Sequence, residues 1–67
     1  MNWGETIKDR RSILGISQQD LADISGVSLR TIKMIEGRKS NPSVATLEKI
    51  GNVLGLELIF QLRKNEQ

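Results

Sequence analysis

The chain has neither cysteine nor histidine among its 67 residues. Without thiols there is no disulfide and no thiolate metal site, and a reducing cytoplasm suits such a chain. Without imidazole, zinc chemistry and histidine acid–base catalysis are excluded as well. Tyrosine is absent, tryptophan and phenylalanine occur once each, and no Gly-rich phosphate loop is present. Carboxylates are left, but pairs such as Asp9 with Asp20 or Asp23 have no nucleophile, metal or cofactor site beside them. A domain this small encloses no substrate pocket, so no catalytic residue, metal or cofactor is expected. No apolar run approaches the ~20 residues of a membrane span, and the N-terminus lacks the apolar stretch of a signal peptide. The expectation is a soluble, cytoplasmic protein with no membrane partner.

What is present is concentrated in residues 18–36, QQDLADISGVSLRTIKMIE. Leu21 and Ile24 form a helix-spaced apolar pair with the small Ala22 beside them, and Ile32 with Ile35 begins a second set. Two short helices crossing steeply need a small side chain at the crossing, which Ala22 supplies. The turn between them, Ser25-Gly26-Val27, has a glycine tolerant of positive φ and an apolar plug in Val27. Ser17 followed by Asp20 caps the first helix, Ser28 caps the second, and Gly37 is the expected stop. An ordinary helical hairpin shares each feature singly. Together they read as two helices and a tight turn built to enter a DNA groove.

Net charge is only +2, too little to argue nucleic-acid binding by itself. Its distribution says more. Arg30, Lys33, Arg38 and Lys39 lie on the second helix of the unit and the loop behind it against the single acid Glu36, whereas residues 18–24 hold Asp20 and Asp23 and no base. Basic charge thus falls where a DNA reader needs it; the plainer reading is a solvated helix face.

Along the rest of the chain, residues 5–14 read as a first helix with Ile7, Ile13 and Leu14 as core candidates and Gly15 ending it. Residues 18–25 and 29–36 follow as helices two and three. Ser43 caps a fourth, residues 44–54, whose Val44, Leu47, Ile50, Val53 and Leu54 keep helical spacing, and Gly55 closes it. Period then changes: Leu56, Leu58, Phe60 and Leu62 alternate with Glu57, Gln61 and Arg63, the pattern of a half-buried strand. A lone strand has two edges of unpaired N–H and C=O groups. Pairing with the same strand of a second copy removes the difficulty, so a homodimer held through Leu56, Leu58, Phe60 and Leu62 is expected. A fifth short helix is the alternative. One domain over residues 1–67 is expected, with a helical core at 5–55; at this size only roughly 60% of the unfolded surface is buried, and association helps.

Arg11, the run Leu14-Gly15-Ile16-Ser17-Gln18, Leu21-Ala22, Gly26-Val27, Ile32, Ile35-Glu36-Gly37, Pro42 and the stretch from Leu47 to Leu54-Gly55 together resemble the phage repressor and Cro family of helix-turn-helix proteins, the xenobiotic-response-element type. The resemblance implies a mainly α, lambda-repressor-like domain of four to five helices that presents its third helix to the major groove of double-stranded DNA. It implies base reading by Ser28, Leu29, Arg30, Lys33 and Met34, with Arg30 and Lys33 able to donate to guanine O6 and N7. Leu29 departs from relatives that carry glutamine there and suits only an apolar contact such as a thymine methyl. Gln18 corresponds to a phosphate-contacting glutamine at a helix N-terminus, and Arg38, Lys39, Ser40 and Asn41 to a loop along the phosphates that positions without specifying. An ion pair between Arg11 and Glu36 is implied too, as a structural link.

The short ending Leu-Gly-Leu-Glu-Leu looks like the HipB-like antitoxins, in which a C-terminal strand pairs across the dimer. The leading expectation is therefore a bacterial, nucleoid-associated transcriptional repressor that binds a palindromic operator as a homodimer. The alternative is an antitoxin of a HipA/HipB-like pair that neutralises a kinase-type toxin and regulates its own operon. Trp3, a large aromatic near the chain end, suits a protein interface or simple packing over the first helix.

Overall fold

The computed structural model describes residues 2–62. Four helices follow one another: α1 (Trp3–Leu14), α2 (Gln18–Ser25), α3 (Leu29–Glu36) and α4 (Val44–Leu54). The last three have the bounds that capping residues predict, because each N-terminus is closed locally by a serine. Ser17 Oγ accepts from the Asp20 N–H at 2.9 Å while the Ser17 N–H donates to Asp20 Oδ2 at 3.0 Å, a reciprocal capping box. Ser28 and Ser43 accept from the Thr31 and Thr46 N–H groups, each at 3.1 Å. Gly26 has φ 79° and ends α2 in the left-handed conformation, which allows the chain to turn at once into α3.

Helix α1 begins at Trp3, ahead of the expected Glu5. Its cap is Asn2, whose side chain accepts from the Glu5 N–H at 3.0 Å and donates to Glu5 Oε1 at 2.8 Å. Helix α3 stops at Gly37 as the sequence suggests, but Gly37 is not the residue that turns left-handed. It keeps φ −86°, and Arg38 takes φ 61° instead. The Arg38 N–H then reaches the Ile35 carbonyl at 3.0 Å and the Lys39 N–H the Met34 carbonyl at 2.8 Å, closing the helix in a Schellman pattern around a non-glycine residue.

Helix α1 packs on α3 and α4, and α2 packs on the same two helices. Ile7, Leu21, Ala22, Val27, Ile32, Ile35, Ile50 and Leu54 fill the space between them. Four residues with core-like spacing are outside it: Ile13 is 72% exposed, Ile24 64%, Val44 55% and Leu14 44%. At about 100° per residue, Ile13 lies roughly 120° around α1 from Ile7. Ile24 falls almost opposite Ala22 by the same count, and Val44 and Leu14 occupy terminal turns beyond the reach of the facing helices.

Gly4 sets the approach of α1 to α3, since a Cβ there would collide with the Ile35 carbonyl oxygen and stand 3.1 Å from Glu36 Cα. Arg10 ties α1 to α4 by donating from Nε to the Leu54 carbonyl at 2.7 Å. Trp3 packs on the edge of the core, half-buried. After Gly55 the chain forms neither the expected strand nor a fifth helix; among the described residues there is no strand, because a single chain offers residues 56–62 no second strand to pair with. Arg63, part of the expected alternation, lies outside the described residues. No helix among the described residues is long and apolar enough to cross a membrane.

Candidate nucleic-acid interface

Helix α3 has two unlike sides. Ile32 and Ile35 point into the core and are 0% and 2% exposed, which anchors the helix and fixes its rotation about its own axis. That rotation turns Leu29, Arg30, Lys33 and Met34 outward as one face. Together with Gly37 and Lys39 they line a single shallow depression. Five of the residues expected at DNA from the sequence are thus brought together, with three cationic side chains around an apolar floor of Leu29 and Met34. Cationic donors above apolar contacts are what guanine edges and thymine methyls call for.

The remaining candidates are placed differently. Ser28 is at the mouth of α3, but its hydroxyl is already used: it accepts from the Thr31 N–H and donates to Thr31 Oγ1 at 2.9 Å. Donating to a base requires breaking the second bond, while one lone pair stays free to accept. Arg38, Ser40 and Asn41 are exposed and line a separate depression beside Asn2, Trp3 and Gly4. The loop after α3 therefore divides, Lys39 lying with the α3 face and its neighbours toward the start of α1. Arg38 Nη2 is 3.7 Å from Glu5 Oε1 in a largely exposed pair, a contact worth little in water.

Gln18 lies away from both depressions. Its Nε2 donates to Glu36 Oε1 at 3.0 Å, which makes it the third member of a network centred on Glu36. Arg11 donates from Nε to Glu36 Oε2 and from Nη2 to Glu36 Oε1, each at 2.9 Å, and from Nη1 to the Ile16 carbonyl at 2.9 Å. The two charged side chains are only 14% and 5% exposed. Burial works to raise the Glu36 carboxyl, but the hydrogen bonds from Arg11 and Gln18 and the charges of Arg11 and Lys8 outweigh it and hold the group below its ordinary value. The hydrogen bond to Glu36 likewise raises Arg11 against the opposing effect of burial.

The network joins α1, α2 and the last residue of α3, so the exposed face of α3 is held at a fixed angle to the other two helices. The resemblance named Arg11 and Glu36; it did not bring Gln18 into contact with them. Asn2, Gly4 and Arg10 escaped sequence reasoning altogether. Of these only Asn2 carried a readable pattern, a capping asparagine followed three residues later by Glu5.

Comparison with known proteins agrees with this geometry. A family model described as Helix-turn-helix matches residues 7–61. The SPbeta prophage-derived HTH-type transcriptional regulator YonR of Bacillus subtilis (strain 168) is 36% identical over 61 residues, covering 91% of this chain and 56% of the relative. The HTH-type transcriptional regulator PuuR of Escherichia coli (strain K12) is 36% identical over 55 residues, 82% of this chain but 30% of that protein. An HTH-type transcriptional regulator of Methanothermobacter thermautotrophicus is 36% identical over 53 residues, with 79% of this chain and 77% of the relative covered. The chain thus spans 56% and 30% of the first two relatives' lengths. No solved structure gives a significant match. A helix anchored by its buried face, a cationic outer face and the agreement of these relatives lead to one conclusion: the chain belongs to the Cro/C1-type helix-turn-helix family of DNA-binding transcriptional regulators.

Proposed function

We propose that the protein is a transcriptional repressor that binds a palindromic operator as a homodimer, with α3 of each copy in the major groove of one half-site. The gathering of Leu29, Arg30, Lys33 and Met34 of α3 with Lys39 of the loop behind it around one depression carries this reading. Arg30 and Lys33 read base edges, Leu29 and Met34 make apolar contacts, and Lys39 with Arg38, Ser40 and Asn41 holds the phosphates. Gln18 serves a phosphate from the N-terminus of α2 while its amide stays fixed by Glu36. Two-fold symmetry of the protein sets half-site centres about 34 Å apart or a multiple of that distance.

Dimerisation through residues 56–62 is supported by the exposure of Ile59, Phe60 and Leu62, at 60%, 95% and 95%, since apolar side chains so bare in one chain gain by being covered. The same residues favour a second reading, an antitoxin that covers them with a kinase-type toxin and represses its own operon. A neighbouring reading frame encoding a kinase-like protein favours that reading, and purification of the chain without a partner counts against it.

Gel-shift titrations across salt concentrations test the repressor. Arg30→Ala relaxes preference at one base position by ~1–3 kcal/mol, whereas Lys39→Ala weakens all sequences and lowers the salt slope by ~1. If neither variant changes DNA affinity, the assignment of this face is wrong. Charged replacements of Leu58 and Phe60 move the chain toward monomer in sedimentation and weaken operator binding with it; a variant that stays dimeric refutes the ribbon.

A further inference from the structure

A groove of about 450 Å³ runs between α1, α4 and the chain that follows Gly55. Trp3, Ile7, Leu47, Leu56 and Leu58 line it, with Glu48 and Glu57 at the edge. Gly51 gives the groove its third wall. A Cβ there would stand 2.8 Å from the Leu56 carbonyl oxygen, so the absence of a side chain lets residues after Gly55 fold back over α4. Leu56 and Leu58 are half-buried along the groove. The next two residues of the same alternating set, Phe60 and Leu62, are each 95% exposed. One apolar face is thus half seated on its own chain and half bare.

Building on the homodimer reading above, we infer that this groove receives Phe60 and Leu62 of a second copy. In an antiparallel ribbon, directly opposed residues project on the same face, with their Cβ atoms ~4.5–5.5 Å apart. A two-fold axis at Ile59 sets Leu58 opposite the partner's Phe60 and Leu56 opposite the partner's Leu62. Since Leu56 and Leu58 line the groove, the partner's side chains come down beside them and within reach of Trp3. Glu57 falls opposite the partner's Gln61 on the outer face, where both stay in water. Shifting the register by one residue sets Glu57 opposite the partner's Leu62 and mixes the two faces, so the alternation itself selects the register. Moving the axis to Leu58 or to Phe60 leaves one of the four apolar residues without a counterpart. The axis at Ile59 matches all four. The groove is therefore one half of a reciprocal exchange, each copy filling the other's.

Trp3 is the chain's sole tryptophan, so its fluorescence reports the groove directly. Sedimentation and emission are followed over one dilution series of the full chain. The expected result is a dimer whose dissociation shifts Trp3 emission to the red with the same midpoint. Phe60→Ala is expected to weaken the dimer by about tenfold or more and to leave helical circular dichroism intact, because Phe60 touches little in the single chain. A dimer that dissociates with Trp3 emission unchanged overturns the groove while leaving the ribbon standing, and assigns the groove to some other occupant. A chain that stays monomeric throughout removes the ribbon itself and the inference with it. Phe60→Ala dimerising as tightly as the parent overturns the inference also.

Discussion

Replacing Arg11 by alanine removes three hydrogen bonds at once, two to Glu36 and one to the Ile16 carbonyl. Glu36, whose side chain is only 5% exposed with Arg11 in place, keeps only the Gln18 amide as a hydrogen-bond partner. Deleting one member of a buried ion pair costs ~3–5 kcal/mol, most of it the isolation of the surviving charge. A chain of 67 residues has a total stability of only ~3–10 kcal/mol at about 0.05–0.15 kcal/mol per residue. Arg11→Ala is therefore expected to unfold the protein or to lower its urea midpoint by ~3 M, taking ~1 kcal/mol per molar urea as the slope for a chain this small. The double replacement Arg11→Met with Glu36→Leu restores most of the loss, because it leaves neither charge buried and fills the same space. Urea melts followed by circular dichroism measure both. A loss below ~1 kcal/mol in the single variant would mean that water reaches the pair as it reaches exposed ones. A double variant no better than Arg11→Ala would mean that the two charges are not coupled, and either result refutes the reasoning.

Three further outcomes follow from the same structure. Glu36 is held below its ordinary value in the fold, so its contribution is complete above ~4.3, the unfolded value, and is lost as pH falls through the folded one. Glu36→Gln should then lower stability at neutral pH and flatten the acid limb of a stability profile; an unchanged acid limb would assign that limb to other carboxylates. Gly4→Ala gains helix propensity of ~1 kcal/mol, but the new Cβ meets the Ile35 carbonyl and Glu36 Cα. Overpacking of ~1–3 kcal/mol is expected to win, and thermal unfolding shows it as a lower Tm. Arg38→Gly releases the left-handed strain at φ 61° and is expected to stabilise the fold by about 1 kcal/mol while weakening DNA binding. A Tm that does not rise would show that the Schellman closure is not strained by the arginine.

Helix bounds were legible wherever a local rule closes them. Ser17 with Asp20, Ser28 and Ser43 mark three helix starts, and the hydrogen bonds that enforce these starts span only three residues of sequence. Asn2 with Glu5 obeys the same rule, so the start of α1 was readable as well. The stop at Gly37 was legible as well, but which residue beyond α3 turns left-handed was not, because only the path of the chain decides it. Burial was legible in part. Leu21, Ile32, Ile35, Ile50 and Leu54 are where apolar spacing puts them, while Ile13, Ile24 and Val44 share the chemistry without facing a neighbour.

The same division runs through the candidate site. Arg30 and Lys33 are one helical turn apart by position alone, so their sharing of a face was contained in the sequence once α3 was recognised. That Lys39 joins them while Arg38, Ser40 and Asn41 turn toward α1 was not contained there, since it depends on Arg38 taking the left-handed conformation. The sequence by itself determined the four helices, their N-caps and the kind of protein, because propensity, capping and helical periodicity act over a few residues. Only the tertiary structure decided how closely α1 meets α3 at Gly4, that Gln18 joins Arg11 at the buried carboxylate of Glu36, and that Gly51 opens a groove for the segment after α4. Those outcomes depend on atoms far apart in the chain being brought within van der Waals or hydrogen-bond distance, where a single Cβ or one unpaired charge changes the result.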